Sequence, residues 1–399
     1  MTGFLWMLGV LALLLAAGAT AEVGARWWVR HRSRDYVFQP GLRLELHLDR
    51  DVLPELEPVV RFEVNGDGER GDEVPRSNEG LYRVLVAGGS QPEGYLLDQN
   101  SCWPGALYRM LERPDRVSAL GASTVHVGSI ARSGVGSEAL DGIFERVLPQ
   151  YPRLAAIIIL VGASDVLQWL EQGAPSSGGS AVRLSDFFRC RSDAAFGWKP
   201  TQLALLELAV RMRRRWLRPV HVHERAGRWI GKARAMRARA KVIRTAMPDP
   251  AAMLDRFELH FSRAIRNAQE HAGRVLVVRQ SWFDRDPTSE ELAHMWHGGV
   301  GQAWREEVTT YYSVDVISRL MTLLDRRAAR VAQACRAEQL DLRSILEPSL
   351  TTYYDSFHLT PAGASAVAEA VAAALTREPT VSADLQERVV LQCADLRAS

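Results

Sequence analysis

The sequence has little cysteine, and none of it is arranged to bind a metal. Its 399 residues include four widely spaced cysteines, with no CxxC pair and no zinc-finger spacing. This pattern favours free structural thiols. The four residues are Cys102, Cys190, Cys335 and Cys393.

Strong net charge and the common nucleotide-binding and hydrolase motifs are also missing. The formal net charge is only +2, so overall charge selects no partner. The stretch "AGRWIGKA" fails as a phosphate-binding loop because Ala226 and Ala233 stand at two required positions. The G-x-S-x-G elbow of many serine hydrolases is absent as well. Because no nucleotide-binding motif is found, we expect no cofactor.

The histidines form no metal motif that the sequence reveals. No HExxH is present, and the pairs His294/His297 and His221/His223 lack an obvious carboxylate or thiol as a third ligand. We expect these side chains to lie at the surface or in the core, and we expect no metal.

Residues 4–21 form an apolar run without a charge, which is about the minimum length for a membrane-spanning helix. A cleaved signal peptide is the alternative, since Ala19-Thr20-Ala21 has the small-x-small pattern of a cleavage site. No Lys or Arg precedes the run, whereas arginines and two tryptophans follow it. The sequence therefore predicts a single-pass anchor with its basic flank at 1–34, in a bacterial inner membrane. The positive-inside rule favours the cytoplasmic side for the rest of the chain.

The remaining chain alternates strand-like and helix-like segments after a polar, turn-rich lead-in at 35–80. Alternation of this kind predicts an α/β fold, a three-layer α/β/α sandwich with about five parallel strands, over residues 81–378. Residues 379–399 are expected to form a tail. The predicted strands are 82–89, 124–129, 154–162, 273–280 and 340–346.

An insertion at about 200–248 interrupts this alternation. Residues 211–244 contain thirteen Lys or Arg and one acid, Glu224. Either a solvated basic helical hairpin or a contact with anionic lipid head groups would explain this composition. Nucleic acid is not expected, because no recognition motif accompanies Trp216 and Trp229.

Three residues point to nucleophilic chemistry. Ser90 follows two glycines at the end of the first predicted strand, and Asp355 and His358 precede a helix that Thr360 caps. Ligands of parallel sheets bind beyond the carboxyl ends of the strands, where these residues can meet. A carboxylate that orients an imidazole, which activates a serine hydroxyl, is the arrangement that nucleophilic catalysis requires.

Four short blocks make the chain resemble the SGNH hydrolases, also called the GDSL esterase/lipase family. The resemblance covers about residues 60–376 and implies a flavodoxin-like sheet with Ser90, Asp355 and His358 as the catalytic residues. It also implies an oxyanion hole formed by Gly136, or alternatively Gly134, together with Ser164. The blocks are "AGGSQPEG", "ARSGVGSEA", "GASD" and "DSFH".

Two positions depart from the family pattern. Gly89 replaces the aspartate of G-D-S, and Ser164 replaces the asparagine whose amide donates to the oxyanion. A serine hydroxyl is a shorter donor, and loss of one such donor costs about 10²–10³ in turnover in other enzymes. Trp282, after the fourth strand, is expected at the rim of the pocket.

The resemblance implies a serine esterase that forms an acyl-enzyme on Ser90 and acts on a small-molecule or carbohydrate ester. Two alternatives stay open. One is an O-acetyltransferase or deacetylase of carbohydrates that uses the same residues. The other is a catalytically weak, membrane-tethered binding module with the same fold.

Overall fold

The apolar runs of the sequence form a parallel central sheet. The structure, a computed structural model, describes residues 2–32, 34–179 and 203–377. Its strands are β1 (Arg43–Leu48), β2 (Val59–Glu63), β3 (Leu81–Gly88), β4 (Thr124–Ser129), β5 (Leu154–Leu160), β6 (Val220–Ala226), β7 (Val242–Arg244), β8 (Ala272–Arg279), β9 (Thr310–Tyr312) and β10 (Glu338–Asp341).

Helices alternate with these strands along the chain. They are α1 (Thr2–Arg32), α2 (Ser90–Glu93), α3 (Trp103–Leu111), α4 (Pro114–Ala119), α5 (Ser137–Val147), α6 (Ala163–Glu171), α7 (Ala204–Trp216), α8 (Arg228–Ala238), α9 (Ala251–His271), α10 (Ser289–His294), α11 (Val314–Ala334) and α12 (Pro361–Thr376).

The central sheet has five parallel strands in the order β10-β8-β5-β3-β4. Numbered by their own sequence order, these strands run 5-4-3-1-2, which is the flavodoxin-like arrangement. The order reverses between β3 and β5. Ligands of such sheets bind at this point, beyond the carboxyl ends of the strands.

Alternate side chains of the strands point to opposite faces and bury two separate cores. Leu85 and Ile157 pack with α5, α9 and α11 on one face, whereas Val86 and Ile158 pack with α3 and α12 on the other. The predicted three-layer α/β/α sandwich is therefore confirmed.

The fifth strand ends earlier than the sequence predicts. β10 covers Glu338–Asp341, and the predicted remainder turns into a short 3-10 helix, Leu342–Ser344. The Asp341 carboxylate accepts a hydrogen bond from the backbone N–H of Arg343 at 3.0 Å, which favours the turn over extended backbone.

The lead-in and the basic insertion contain strands that their composition did not predict. β1 pairs with β2 of the lead-in and with β6 of the insertion, and β7 pairs with β9. The insertion is thus not a helical hairpin, since two strands alternate with α7 and α8. Residues 200–202, the tail at 379–399, Cys190 and Cys393 lie outside the described residues. Cys102 and Cys335 are free thiols, as expected.

A buried ionic cluster attaches the lead-in to the central sheet. The Glu69 carboxylate accepts a hydrogen bond from Arg83 Nη2 of β3 at 2.8 Å and lies 2.8 Å from His126 Nε2 of β4. Gly128 leaves room for Glu69, because a Cβ there would lie 2.2 Å from the carboxylate. Burial would raise the pKa of Glu69, but the hydrogen bond of His126 and the charge of Arg83 lower it to about 2.

One helix among the described residues is long and apolar enough to cross a membrane. It covers Gly3–Trp28 within α1, and none of its most apolar window is buried. A signal sequence near an N-terminus has the same length and composition.

We predict that Glu69→Gln destabilises the fold by about 3–5 kcal/mol, because Arg83 and His126 lose their buried carboxylate. The pKa of Glu69 is lower in the folded chain than its usual value of 4.5. Its contribution to stability is therefore present above about pH 4.5 and is lost as the pH falls toward about 2. Thermal unfolding of the detergent-solubilised protein between pH 7 and pH 3 measures both effects, and the variant should show the shallower acid loss.

Glu45→Gln is the matched control. Glu45 pairs with His47 at the partly exposed surface of β1, so its loss should cost less than about 1 kcal/mol. Equal destabilisation by the two variants would contradict a structural role for the Glu69 cluster.

Candidate active site

The turn after β3 places Ser90 at the carboxyl edge of the sheet. Gly88 has φ +150°, and a Cβ at this position would lie 1.8 Å from the carbonyl oxygen of Leu160 on β5. Only glycine fits such a contact. β3 and β5 therefore stay close to their ends, and the chain turns so that Ser90 begins α2 at the edge where the strand order reverses.

Ser90, His358 and Asp355 form a continuous hydrogen-bonded chain. His358 Nε2 lies 2.8 Å from Ser90 Oγ, and His358 Nδ1 lies 2.8 Å from Asp355 Oδ2. With the hydrogen on Nδ1, the imidazole donates to the carboxylate and Nε2 is left to accept the serine proton. The structure thus brings the three sequence-predicted residues together.

Each oxygen of the Asp355 carboxylate accepts two hydrogen bonds. Oδ1 accepts from the backbone N–H groups of Phe357 (2.9 Å) and His358 (2.8 Å), and Oδ2 accepts from Trp296 Nε1 (3.0 Å) in addition to the imidazole. Burial favours the neutral acid, but the adjacent His358 and these donors keep the pKa of Asp355 well below its usual range.

Asp355 in turn changes the pKa of the His358 imidazole. Burial would lower the pKa of His358, but the charge of Asp355 and the hydrogen bond to it outweigh burial and raise that pKa. Two rings pack beside His358. Tyr354 stacks at 5.5 Å with an interplanar angle of 11°, and His297 lies at 5.6 Å. Burial lowers the pKa of His297 to about 3, so this neighbour stays neutral and does not repel the imidazolium.

Buried polar residues hold the turn that carries Ser90 against the loop that carries His358. Gln91 Nε2 donates to the carbonyl oxygen of Phe357 at 2.7 Å. Glu93 accepts hydrogen bonds from both the N–H and the hydroxyl of Ser133. From the lead-in, Arg70 donates to the carbonyl oxygens of Glu93, Gly94 and Leu97. The turn of Ser90 is therefore held both by the loop that carries His358 and by the lead-in.

Gly134 borders the cavity of Ser90, and Gly136 does not. Gly134 has φ +82°, and its carbonyl oxygen accepts a hydrogen bond from Gln168 Nε2 at 2.6 Å. Gly136 precedes α5, where a Cβ would lie 3.0 Å from Asp165 Oδ2, and it borders a different, smaller cavity. Of the two expected glycines, Gly134 is therefore the one that borders the cavity of Ser90, and the part of either glycine in an oxyanion hole stays a prediction.

Ser164 lies beside the nucleophile turn, in the first turn of α6. A Cβ on Gly89 would stand 3.4 Å from Ser164 Oγ, and Ser164 borders the cavity of Ser90. The neighbouring Asp165 has a structural contact instead, since it accepts hydrogen bonds from the N–H and hydroxyl of Ser137 and so caps α5. Burial raises the pKa of Asp165 to about 6.

The cavity at Ser90 and His358 has a volume of about 1060 Å³, and its wall combines polar residues with tryptophans and tyrosines. Glu171 is an acidic group on this wall, and burial raises its pKa to about 8. Trp282 is not at the rim as expected, because it is buried in the core and its Nε1 donates to Ser318 Oγ at 3.0 Å. The aromatic residues of the wall are Tyr95, Trp229, Trp296, Trp304 and Tyr354.

His297 joins the site for a reason that its sequence neighbours did not indicate. The sequence pairs it with His294, but the fold places it with Asp355 and His358, and their potential ligand atoms lie within 4.8 Å of one another. Asp355 Oδ2 and His358 Nδ1 are already engaged with each other. His297 therefore lies beside a carboxylate–imidazole pair that is already hydrogen-bonded.

Sequence reasoning did not identify five residues that contact the predicted site residues or the turn and loop that carry them: Trp296, His297, Gln91, Glu93 and Arg70. Gln91 and Glu93 lie within the "GGSQPEG" block, which was the only available signal. The spacing of His294 and His297 suggests only a metal motif. The hydrogen bond from Trp296 to Asp355 joins residues 59 positions apart, so no local pattern indicates it.

Comparisons with known proteins find similarity in solved structures only. No protein-family model and no curated protein matches the chain. An acetylxylan esterase from Geobacillus stearothermophilus, Axe2, is 12% identical, with 76% of this chain and 96% of that chain covered and a TM-score of 0.38. A protein of the lipolytic G-D-S-L family from Veillonella parvula is 10% identical, with 75% and 100% covered and a TM-score of 0.39. Our fold assignment rests on the strand order and the helical layers described above.

We predict that a fluorophosphonate modifies Ser90 covalently in the detergent-solubilised protein. His358 accepts the hydroxyl proton, so His358→Ala should slow the modification at least about 10²-fold. Ser90→Ala should abolish it. Peptide mass spectrometry identifies the modified residue.

Ser262→Ala is the control, since Ser262 is on α9 and its hydroxyl donates to the carbonyl oxygen of Leu259. Its labelling rate should equal that of the wild type. Absence of labelling in a protein with normal thermal unfolding would contradict an activated serine.

Proposed function

We propose that this protein is a serine esterase that hydrolyses a carboxylic ester through an acyl-enzyme on Ser90. The observation that carries the proposal is the 2.8 Å contact between Ser90 Oγ and His358 Nε2, with Asp355 behind the imidazole. An inert structural serine has no need of a base that is itself oriented by a buried carboxylate.

The reaction follows from these positions. Ser90 Oγ attacks the acyl carbon while His358 Nε2 takes the hydroxyl proton, and Asp355 stabilises the imidazolium. The C–O bond to the alcohol then breaks, and His358 gives its proton to the leaving oxygen. In the second half, water attacks the acyl carbon while His358 Nε2 takes one of its protons. The bond between the acyl carbon and Ser90 Oγ then breaks, His358 gives that proton to Ser90 Oγ, and the acid is released.

The negative charge on the acyl oxygen needs donors at the nucleophile turn. Ser90, Gly134 and Ser164 border the same cavity. We assign the oxyanion hole to the backbone N–H groups of Ser90 and Gly134 and to the hydroxyl of Ser164. Gly134 takes the place given to Gly136 from the sequence. No step requires a metal or a cofactor.

The aromatic wall favours a carbohydrate ester as the substrate. Trp229 packs edge-on against Trp296 at 4.9 Å, and Trp304 borders the same cavity. Flat aromatic surfaces of this kind accept the apolar faces of sugar rings as well as acyl chains. Deacetylation or acetyl transfer on a carbohydrate is therefore the second candidate, with the same catalytic residues. The assembled Ser90–His358 contact disfavours a binding module without catalysis.

Turnover of p-nitrophenyl acetate and of an acetylated monosaccharide tests the proposal. The rate should rise with pH through the pKa of His358, which lies above its usual value of 6.5, because only the neutral imidazole accepts the serine proton. Asp355→Asn removes the charge that raises this pKa. The acidic limb of the pH–rate profile of this variant should therefore move to lower pH, and its kcat should fall about 10⁴-fold.

Asp255→Asn is the matched control, because Asp255 pairs with Arg327 at the surface and should leave the profile unchanged. An Asp355→Asn variant with the wild-type profile would refute the assignment of the base. Release of acetate to water, compared with transfer to an added sugar acceptor, distinguishes hydrolase from transferase.

We predict that Ser164→Ala lowers kcat for the acetyl ester about 10²-fold while KM changes little, because the hydroxyl donates only to the developing oxyanion. Ser164→Asn restores a side-chain donor and should recover part of the loss. Steady-state kinetics of both variants measure the effect. An unchanged kcat in Ser164→Ala would remove Ser164 from the oxyanion hole.

A further inference from the structure

Helix α7 exposes a continuous apolar stripe. Leu205, Ala209, Met212 and Trp216 follow one another at intervals of four, three and four residues, so they share one face of the helix. All four are exposed, and Trp216 is 83% exposed. Burial of a large aromatic side chain is strongly favourable, so a stripe of this kind normally has a covering surface.

The stripe begins where the predicted membrane span ends. Helices α1 and α7 are in contact, and the Glu22 carboxylate accepts hydrogen bonds from the backbone N–H groups of Ala204 (2.8 Å) and Leu205 (3.1 Å). Glu22 is the first charged residue after the uncharged run 4–21. It therefore caps α7 at the level where the apolar part of α1 gives way to polar residues.

The charge of α7 suits an anionic surface. Residues 204–218 contain five arginines and one acid, Glu207. An apolar face that carries Leu and Trp, combined with a helix rich in Arg, is typical of helices that lie in the interface of a membrane. Each basic residue near such a surface adds attraction to anionic lipids.

We propose that α7 lies in the headgroup–acyl boundary of an anionic bilayer, beside α1, with the stripe Leu205–Ala209–Met212–Trp216 turned into the lipid. The proposal takes α1 as a retained anchor. It differs from the lipid contact expected for residues 211–244, because the apolar stripe of α7 begins before that region, at Leu205, and its helix contacts α1. The chain continues through β6 to α8, whose Trp229 and Ile230 line the cavity of Ser90.

Photo-crosslinking of the full chain tests this proposal. The protein, with residues 1–21 verified by mass, is placed in nanodiscs of phosphatidylcholine and phosphatidylglycerol, and p-benzoylphenylalanine replaces Trp216. After irradiation, peptides that contain position 216 should carry lipid adducts at least tenfold more often than those from a control with the probe at Leu259. Leu259 is 47% exposed on α9, which does not belong to this surface. The same probe at Met212 gives a second reading in case the first variant does not fold.

Several outcomes would overturn the proposal. Crosslinks from positions 212 and 216 to residues 180–202 of the same chain would mean that the protein itself covers the stripe. Crosslinked dimers would mean that a second copy covers it, and an absence of lipid adducts at both positions would mean that it faces water. Equal adduct yields in nanodiscs of phosphatidylcholine alone would overturn the preference for anionic lipid.

Discussion

The close approach of β3 to β5 at Gly88 is the constraint on which the rest of the site depends. A side chain at this position would collide with the carbonyl oxygen of Leu160, so the two strands can stay together to their ends only with glycine there. The contact lies where the strand order reverses, and the chain leaves it directly into Ser90. The same edge receives Ser164 from the end of β5 and His358 from the loop before α12. The contact between Gly88 and Leu160 therefore fixes where Ser90 lies relative to Ser164 and His358.

Around this turn, charge is buried only where hydrogen bonds compensate for it. Asp355 has four donors, Glu93 binds Ser133, and Arg70 is shared among three carbonyl oxygens. Loss of one partner leaves a buried polar group without a hydrogen bond. The resulting loss of folding stability is larger than the net stability that the hydrogen bond itself contributes. These hydrogen bonds orient Ser90, His358 and Asp355 without a bound substrate, which is the preorganisation that the proposed catalysis requires.

The lead-in and the insertion complete the site from outside the central sheet. Arg70 and the Glu69 cluster belong to the segment whose composition predicted only turns, yet they hold the nucleophile loop and bind β3 and β4. The insertion contributes Trp229 to the aromatic wall and contacts α1 through α7. The lead-in thus supports the turn of Ser90, whereas the insertion helps to line the cavity and connects it with the N-terminal helix.

The sequence by itself determined the strands of the central sheet, the three-layer architecture and the identity of Ser90, Asp355 and His358 as candidates. These features depend on short patterns: runs of branched apolar residues, turn glycines and a capping threonine. Each pattern determines the structure of only a few neighbouring residues, so it can be recognised from the sequence alone. Tertiary structure decided that Gly134 rather than Gly136 borders the cavity, that Trp282 is buried, and that Trp296 donates to Asp355. These outcomes depend on contacts between distant segments, such as the 268 residues that separate Ser90 from His358. Only the order of the strands in the sheet brings such segments together.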